Sequence, residues 1–367
     1  MFDRRLVAYF DWGLLGLTFI LAFIGVVTIY SAVNAGGATV GQTLYLKQII
    51  WFGAGMTLMA VCFMISYKRF DQYAIVIYIG CVGLLGSVLV FGKLVGGSKR
   101  WLSVGSISIQ PSEMMKVALI IVLAHYLSRH LRQNGLTLRE LTQPMVIVLL
   151  PCVLILKQPD LGTAMVLVLI AGSMTLFCGI GRRTLIFIST VWVVFIPIAW
   201  SFLKPYQKQR ILTFLNPEGD PLGTGYHIIQ SKIAIGSGGV TGKGYLEGTQ
   251  NLLSFLPEQH TDFIFSVLSE EWGFIGAGAV IFLFLLILLW GLGIAHKCRD
   301  PFGILMSVGV VALIFWEMFI NIGMVMGLMP VVGVPLPLIS YGGSSTVTIM
   351  IAIGLLINVS MRRFMFE

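Results

Sequence analysis

Charge is scarce in this chain. Only 11% of its 367 residues are Asp, Glu, Lys or Arg, against about 25% in soluble domains. So few charges cannot keep a water-facing surface of that size wet, which excludes an ordinary soluble enzyme, a disordered chain and a small secreted scaffold. Cysteine is scarce too. Cys62, Cys81, Cys152, Cys178 and Cys298 lie in or beside apolar runs with no CxxC or other ligand spacing, so they read as small buried apolar residues rather than disulfide or metal partners. His125, His130 and His296 show no ligand spacing either. No solenoid-length repeat, low-complexity tract or separable soluble domain is present. What is abundant is hydrocarbon: 57% of residues are hydrophobic and the mean hydropathy is +0.92. That is the composition of an integral membrane protein. The excess of 24 Lys and Arg over 16 Asp and Glu then reads as basic loops against anionic lipid, not as nucleic-acid binding.

A membrane-crossing helix needs roughly 20 mostly apolar residues. The chain offers ten such runs, at about 12–32, 49–66, 73–92, 111–128, 143–156, 162–180, 184–202, 272–295, 303–328 and 344–360. They are continuously apolar and longer than the alternating segments of a barrel, so the fold class is all-α: a polytopic bundle of about ten transmembrane helices. The fifth run is short and contains Pro144 and Pro151. With the N-terminus inside, 13 of the 24 Lys and Arg fall in short inner segments, ten fall outside, and Lys116 lies within a span. Half of the outer ten lie in one long loop. The lysine and arginine bias sets orientation, so both termini are expected to be cytoplasmic. Arg4 and Arg5 before an apolar run resemble a signal peptide, but the run is longer than a typical h-region and serves as a first span.

Residues 203–261 form the long extracytoplasmic loop of an otherwise single domain, 1–367. Long loops of this kind are often functional. Within it, 227–239 reads as a short helix at the interface ending at Gly238–Gly239. The run GSGGVTGKG (236–244) fails the phosphate-loop pattern, because Ser237 stands where Gly is needed and Gly244 replaces the Ser/Thr. It is expected to be a flexible turn. Asp262 opens an apolar helix just after LPEQHT. Such an aspartate is ordinarily an N-cap or first-turn charge, and the same place between bilayer and water suits a partly desolvated general base. Asp160, before the sixth span, presents the same choice of cap or site carboxylate.

Charges inside spans are costly and tend to mark sites or paths. Glu113 and Lys116 lie three apart on one helix face, where a mutual ion pair is natural. Glu317 and Asn321 lie four apart, and a structural hydrogen bond to each other or to neighbouring helices is expected. Glu270 and Glu271 flank the eighth span as interfacial charges. GGSKRWL (96–102) sets Lys99 and Arg100 beside Trp101, an interfacial anchor. The stretch 330–345, with Pro330, Pro335 and Pro337, cannot be one helix. Its Gly342–Gly343–Ser344 turn opens the tenth span, where free backbone N–H groups can hold an anion; a plain re-entrant turn is the alternative. The 17 Met, 24 Phe and 8 Trp suit lipid-facing and packing surfaces and imply no cofactor.

Several ordered motifs carry a resemblance: KRWL, QPSEMMK (110–116), QPDLGT (158–163), DPLGTGYHIIQSKIAIGSGG (220–239), GKGYLEGTQ (242–250), LPEQHTDFIFSVLSEEWGFIG (256–276) and NIGMVMGLMPVVGVPLPLISYGGSS (321–345). Together they resemble the SEDS family of bacterial cell-wall proteins, from the first span to the last, and GKG and GTQ are more similar to its elongation branch than to its division branch. The resemblance implies a peptidoglycan glycosyltransferase of the bacterial cytoplasmic membrane. It would polymerise lipid II beside a class B penicillin-binding protein, which supplies the transpeptidase, and the elongation machinery. It further implies that Asp262 is catalytic and that Glu113 and Lys116 belong to the substrate site, with Arg100, Asp160, Arg210 and Ser344 as further members. A lipid-linked diphospho-sugar carries its own leaving group, so no nucleotide is needed outside the cell; a divalent cation, Mg or Mn, is compatible with a diphosphate. Ten spans and intramembrane charges also suit a different class, a lipid II flippase, or a scaffold without catalysis.

Overall fold

The computed structural model describes residues 9–34, 43–95, 98–105, 107–131, 135–187, 190–191, 201, 205–219, 223–253, 255 and 258–363. In order come α1 (Trp12–Asn34), α2 (Leu44–Met64), α3 (Tyr67–Gln72) and α4 (Ala74–Phe91). Three strands follow, β1 (Lys93–Val95), β2 (Ser98–Val104) and β3 (Ile107–Ile109). Then come α5 (Pro111–Ser128), α6 (Leu138–Lys157), α7 (Leu161–Phe177), α8 (Pro205–Leu215), a 3₁₀ turn (Pro217–Gly219), α9 (Thr224–Ser237) and α10 (Thr249–Leu252). Last are α11 (Ile264–Lys297), α12 (Pro301–Val325) and α13 (Gly343–Arg362). In lipid every backbone polar group needs a partner within the protein, which a helix supplies to itself. Among the described residues α1, α2, α4, α6, α11, α12 and α13 are long and apolar enough to cross a membrane. The apolar α7 and the deeply buried α5 run beside them, in a multi-pass bundle of about ten helices. The expected span at 184–202 falls largely outside the described residues, as do Arg4 and Arg5.

α12 and α13 are buried over 78% and 89% of their apolar windows, against 22–39% for the others. They are therefore the centre, and the rest show one face to lipid. The two prolines of α6 are accommodated without breaking it. Proline at i cannot donate to the carbonyl at i−4, which orphans the carbonyls of Glu140 and Ile147. The Tyr126 hydroxyl donates to Glu140 O at 3.0 Å and the Tyr78 hydroxyl to Ile147 O at 2.8 Å. α6 also starts earlier than the apolar run suggests, at a Thr137–Glu140 capping box. At the far end of the bundle Asn358 and Arg362 donate to the last carbonyls of α2, including Arg362 Nη1 to Phe63 O at 3.0 Å. Arg363 lies 5.6 Å over the ring of Tyr9, so the two described ends of the chain share one end of the bundle.

The eighth span begins at Ile264, not near 272, and Glu270 and Glu271 lie inside it at 0% and 2% exposure. They are not interfacial flanks. The apolar pattern was interrupted because the helix itself is interrupted, at Gly273 (φ 62, ψ −160). The amides of Phe274 and Ile275 donate instead to Gly239 O (2.9 Å) and Val240 O (3.1 Å). Those of Lys243 and Gly244 donate to Glu270 O (3.0 Å) and Glu271 O (3.1 Å). Thus 238–244, directly after α9, is a turn docked into a helix break, while 236–237 close α9. The side chain of Glu270 accepts from Lys243 Nζ at 2.7 Å and from Thr249 Oγ1 at 3.0 Å, while Glu271 accepts from Ser31. Gly242 has φ +83, and a Cβ there would lie 2.0 Å from Glu271 O. Gly242→Ala should therefore destabilise the protein by more than about 1 kcal/mol, through strain and collision together. Thermal unfolding in detergent reads this as a lowered midpoint.

Candidate active site at one end of the bundle

GGSKRWL is not a plain interfacial loop. Residues 98–104 form the central strand of a three-stranded antiparallel sheet, order β1-β2-β3, pairing Leu94 with Lys99 and Leu102 with Ile109. The sheet delivers Arg100 to the turn between α6 and α7. Arg100 Nε donates to Gln158 O at 3.1 Å and Nη2 to Pro159 O, while Nη1 lies 4.0 Å from Asp160 Oδ1. Asp160 is both of the things its sequence allows. It caps α7 through Thr163 N (3.2 Å) and Thr163 Oγ1 (2.9 Å), and it accepts from Gln110 Nε2 at 3.2 Å. Gln110 also donates its backbone N–H to Ser344 Oγ at 3.0 Å. Thus β2, the start of α5, the start of α7 and the start of α13 meet at one polar cluster.

Asp262 joins that cluster from the turn before α11. It is half-buried, and it caps nothing: the N-cap position is Phe263, without a side-chain cap. The capping alternative is thereby replaced by a carboxylate left facing the site. Its pKa is raised to about 6, by burial first and by Glu258 and Asp160, against the lowering pull of Arg210 and Arg100. Arg210 on α8, Arg100 and Asp160 are thus within electrostatic reach of the same carboxylate. The turn is pinned from the proline-rich segment 330–345, which is irregular up to 342, as its prolines require, and helical from Gly343. Ser340 Oγ donates to Thr261 O at 2.6 Å, and Tyr341 N donates to His260 O at 2.9 Å. Gly333 has φ +73, and a Cβ there would stand 3.2 Å from Asp262 Oδ2. Gly333→Ala should strain the loop and crowd the carboxylate, cutting turnover by roughly an order of magnitude, in line with about a hundredfold for a full 1 Å misplacement. Steady-state rates of purified protein check this.

Glu113 and Lys116 lie deeper. Lys116 Nζ is 2.7 Å from Glu113 Oε1 and 2.5 Å from Glu317 Oε1, with exposures of 3%, 1% and 0% for Glu113, Lys116 and Glu317. The expected pair is a triad whose third member, 201 residues away in sequence, is Glu317. Glu317 and Asn321 do not bond each other. Asn321 turns to the site, with Nδ2 3.0 Å from Asp262 O and 2.7 Å from Val334 O. Sequence reading missed Gln110, Glu258 and Gly333, and took Asn321 as a structural hydrogen-bonding residue without placing it at the site. The two QP dipeptides at 110–111 and 158–159, both at helix starts, were the available signal for the first. Among the described residues no three His, Cys, Asp or Glu are grouped to hold a metal ion, so the side chains present do not make a protein-only site for the cation a diphosphate could bring.

The fold and site define a multi-pass membrane protein with a half-buried carboxylate at one end, flanked by two arginines and roofed by an irregular loop. Residues 12–364 match the family described as cell cycle protein, FtsW/RodA/SpoVE, and the chain belongs to that family, the SEDS family. It is 42% identical to peptidoglycan glycosyltransferase MrdB of Escherichia coli, over 92% of each chain. It is 39% identical to peptidoglycan glycosyltransferase RodA of Treponema pallidum, over 98% of this chain and 99% of that one. A solved chain from a peptidoglycan synthase complex that coordinates polymerization and crosslinking is similar at TM-score 0.82 and 32% identity, over 97% of this chain and 98% of that one.

Proposed function

We propose that this chain is a peptidoglycan glycosyltransferase that polymerises lipid II into glycan strands during cell elongation, with Asp262 as general base. The observation that carries the proposal is the Asp262 carboxylate itself: half-buried, spent on no cap, and within reach of Arg100 and Arg210. In the transfer step Asp262 accepts the proton of the acceptor sugar's 4-hydroxyl as that oxygen attacks the donor anomeric carbon with inversion. The bond to the lipid diphosphate breaks, and its electron pair leaves with the diphosphate. One carboxylate suffices, because a diphosphate leaves without the acid help that glycosidases give their leaving group. Arg100, fixed by the Gln158 and Pro159 carbonyls, and Arg210 meet the developing charge. Asp160 and Ser344 hold the surrounding elements through Gln110. Lys116, enclosed by two carboxylates, acts on substrate indirectly, by tying α5 to α12 beneath the site. Any divalent cation would ride on the diphosphate, and no step here is routed through it.

The site end is assigned to the extracytoplasmic side of the cytoplasmic membrane, with both termini cytoplasmic, on the lysine and arginine bias. The partners assigned are lipid II, a class B penicillin-binding protein as transpeptidase, the elongation machinery and membrane lipids, with no nucleic acid. The similar chain from a synthase complex supports the transpeptidase partner. A flippase needs a polar path between both faces, whereas the cluster around Asp262 lies at one end of the bundle and the buried charges below it, Glu113, Lys116 and Glu317, pair with one another. Purified protein, with its transpeptidase blocked by a β-lactam, should convert labelled lipid II to a polymer ladder on gels. Translocation of lipid II in vesicles without any ladder would replace the enzyme by the transporter.

A further inference from the structure

The backbone carbonyl of Asp262 itself accepts from one buried side chain, beside the Ser340 and Tyr341 bonds that pin the two residues before it. α12 passes beneath the site and carries Glu317 and Asn321 one turn apart, each at 0% exposure. Asn321 Nδ2 faces two carbonyl oxygens, Asp262 O at 3.0 Å and Val334 O at 2.7 Å. Neither partner has a hydrogen to give, so the amide nitrogen and not the amide oxygen must face them. The Oδ1 is then left buried without a partner among the described residues, a cost that the two bonds from Nδ2 offset. The two carbonyls belong to segments far apart in sequence, the turn before α11 and the irregular loop whose Gly333 leaves room for Asp262 Oδ2, which Ser340 and Tyr341 join at Thr261 and His260 and Asn321 joins at Asp262 itself. One amide thus joins the carboxylate's backbone to the wall of its recess. One turn along the same helix, Glu317 is fixed by Lys116, which sets the height of Asn321 in the bundle.

We propose that Asn321 is a positioning residue for the transfer step, its two donors holding the Asp262 backbone against the Val334 loop and the Lys116–Glu317 pair fixing the helix that carries it. The inference rests on Asp262 being the base. Positioning matters at this scale, since a misplacement of about 1 Å at a reacting group costs on the order of a hundredfold in rate. The charged groups that face Asp262 are Glu258 in its own turn, Arg210 on α8, Arg100 on β2 and Asp160 at the start of α7. None of them is on α12, so a change at 321 alters the seat of the carboxylate and leaves its charged neighbours in place.

The test uses full-length protein with its transpeptidase partner, lipid II as substrate, and Asn321→Leu, which keeps the volume and removes both donors. The expected result is a fall in kcat of about ten- to a hundredfold with KM within about threefold. The acid limb of the rate profile should move to lower pH, because a released carboxylate is better solvated. A kcat within twofold of the parent and an unmoved limb would overturn the proposal. A lowered kcat with an unmoved limb and a lowered melting point would assign Asn321 to folding alone, and overturn it equally. Should Asn321→Leu not run as a monodisperse species, Asn321→Asp decides the matter. A protonated carboxyl offers one donor for two carbonyls, so a smaller loss with a smaller shift is expected, and a kcat equal to the parent's would overturn the proposal. Asp262→Asn is assayed alongside. An active Asp262→Asn would remove the base reading, while an inactive one beside a fully active Asn321→Leu would remove only the positioning role.

Discussion

Asp262→Asn should lower the rate of lipid II polymerisation by about two to four orders of magnitude, the range that a positioned general base contributes. The variant keeps shape and hydrogen-bonding capacity but cannot take a proton. Because the Asp262 side chain caps no helix, the loss should come without a fall in melting point or in binding to the transpeptidase partner. The pH profile gives an independent reading. Burial holds the Asp262 pKa at about 6, with Glu258 pushing the same way and Arg210 and Arg100 opposing. A base works ionised, so kcat/KM should be flat above that value and fall about tenfold per pH unit below it. An exposed aspartate would keep its limb near about 4. A limb at the ordinary carboxylate position, or polymerisation by Asp262→Asn near the parent rate, would remove Asp262 as the base.

What could be read from the sequence follows from the range of the interactions concerned. Continuous apolar runs are local, and the bundle was legible from them to within a few residues at most ends; 343–362 was expected at 344–360 and 301–325 at 303–328. Where the reading failed, a distant partner had overridden a local signal. Glu270 and Glu271 read as the edge of a span, yet the carbonyls of that helix break are matched by a turn some 30 residues earlier in the chain. Pro151 made the fifth span look short, although a hydroxyl from α4 supplies the missing partner to Ile147 O. The short strands around Arg100 were hidden by their length and their charges. The site divides in the same way. Asp262 was visible as an acidic residue at the border of water and lipid, with its role open. The donors that fix its backbone, Asn321 among them, are visible only once α11, α12 and the 330–345 loop are brought together.

Lys116→Met should produce the second large effect, and through a different cause. Removing one partner of a buried ionic group costs about 3–5 kcal/mol, because charge is left behind without compensation. Here it leaves two carboxylates, Glu113 and Glu317, beside each other in the bundle centre. The protein should express poorly, melt early and lose activity. The double variant Glu113→Gln/Lys116→Met, which a two-residue pair would predict to recover, should not do so, since Glu317 remains buried and unpaired. Recovery should need the triple variant Glu113→Gln/Lys116→Met/Glu317→Gln, in which no charge remains; neutral replacements of buried ionic clusters are often tolerated or stabilising. The melting point of the triple variant should approach the parent value. Its polymerisation rate should recover to within about tenfold if the triad acts by holding α5 against α12, as charge clusters coupled in one network are strongly non-additive. A triple variant that folds like the parent but makes no polymer would show instead that the Lys116 ammonium meets the substrate itself, in a conformation where its two carboxylates let it go.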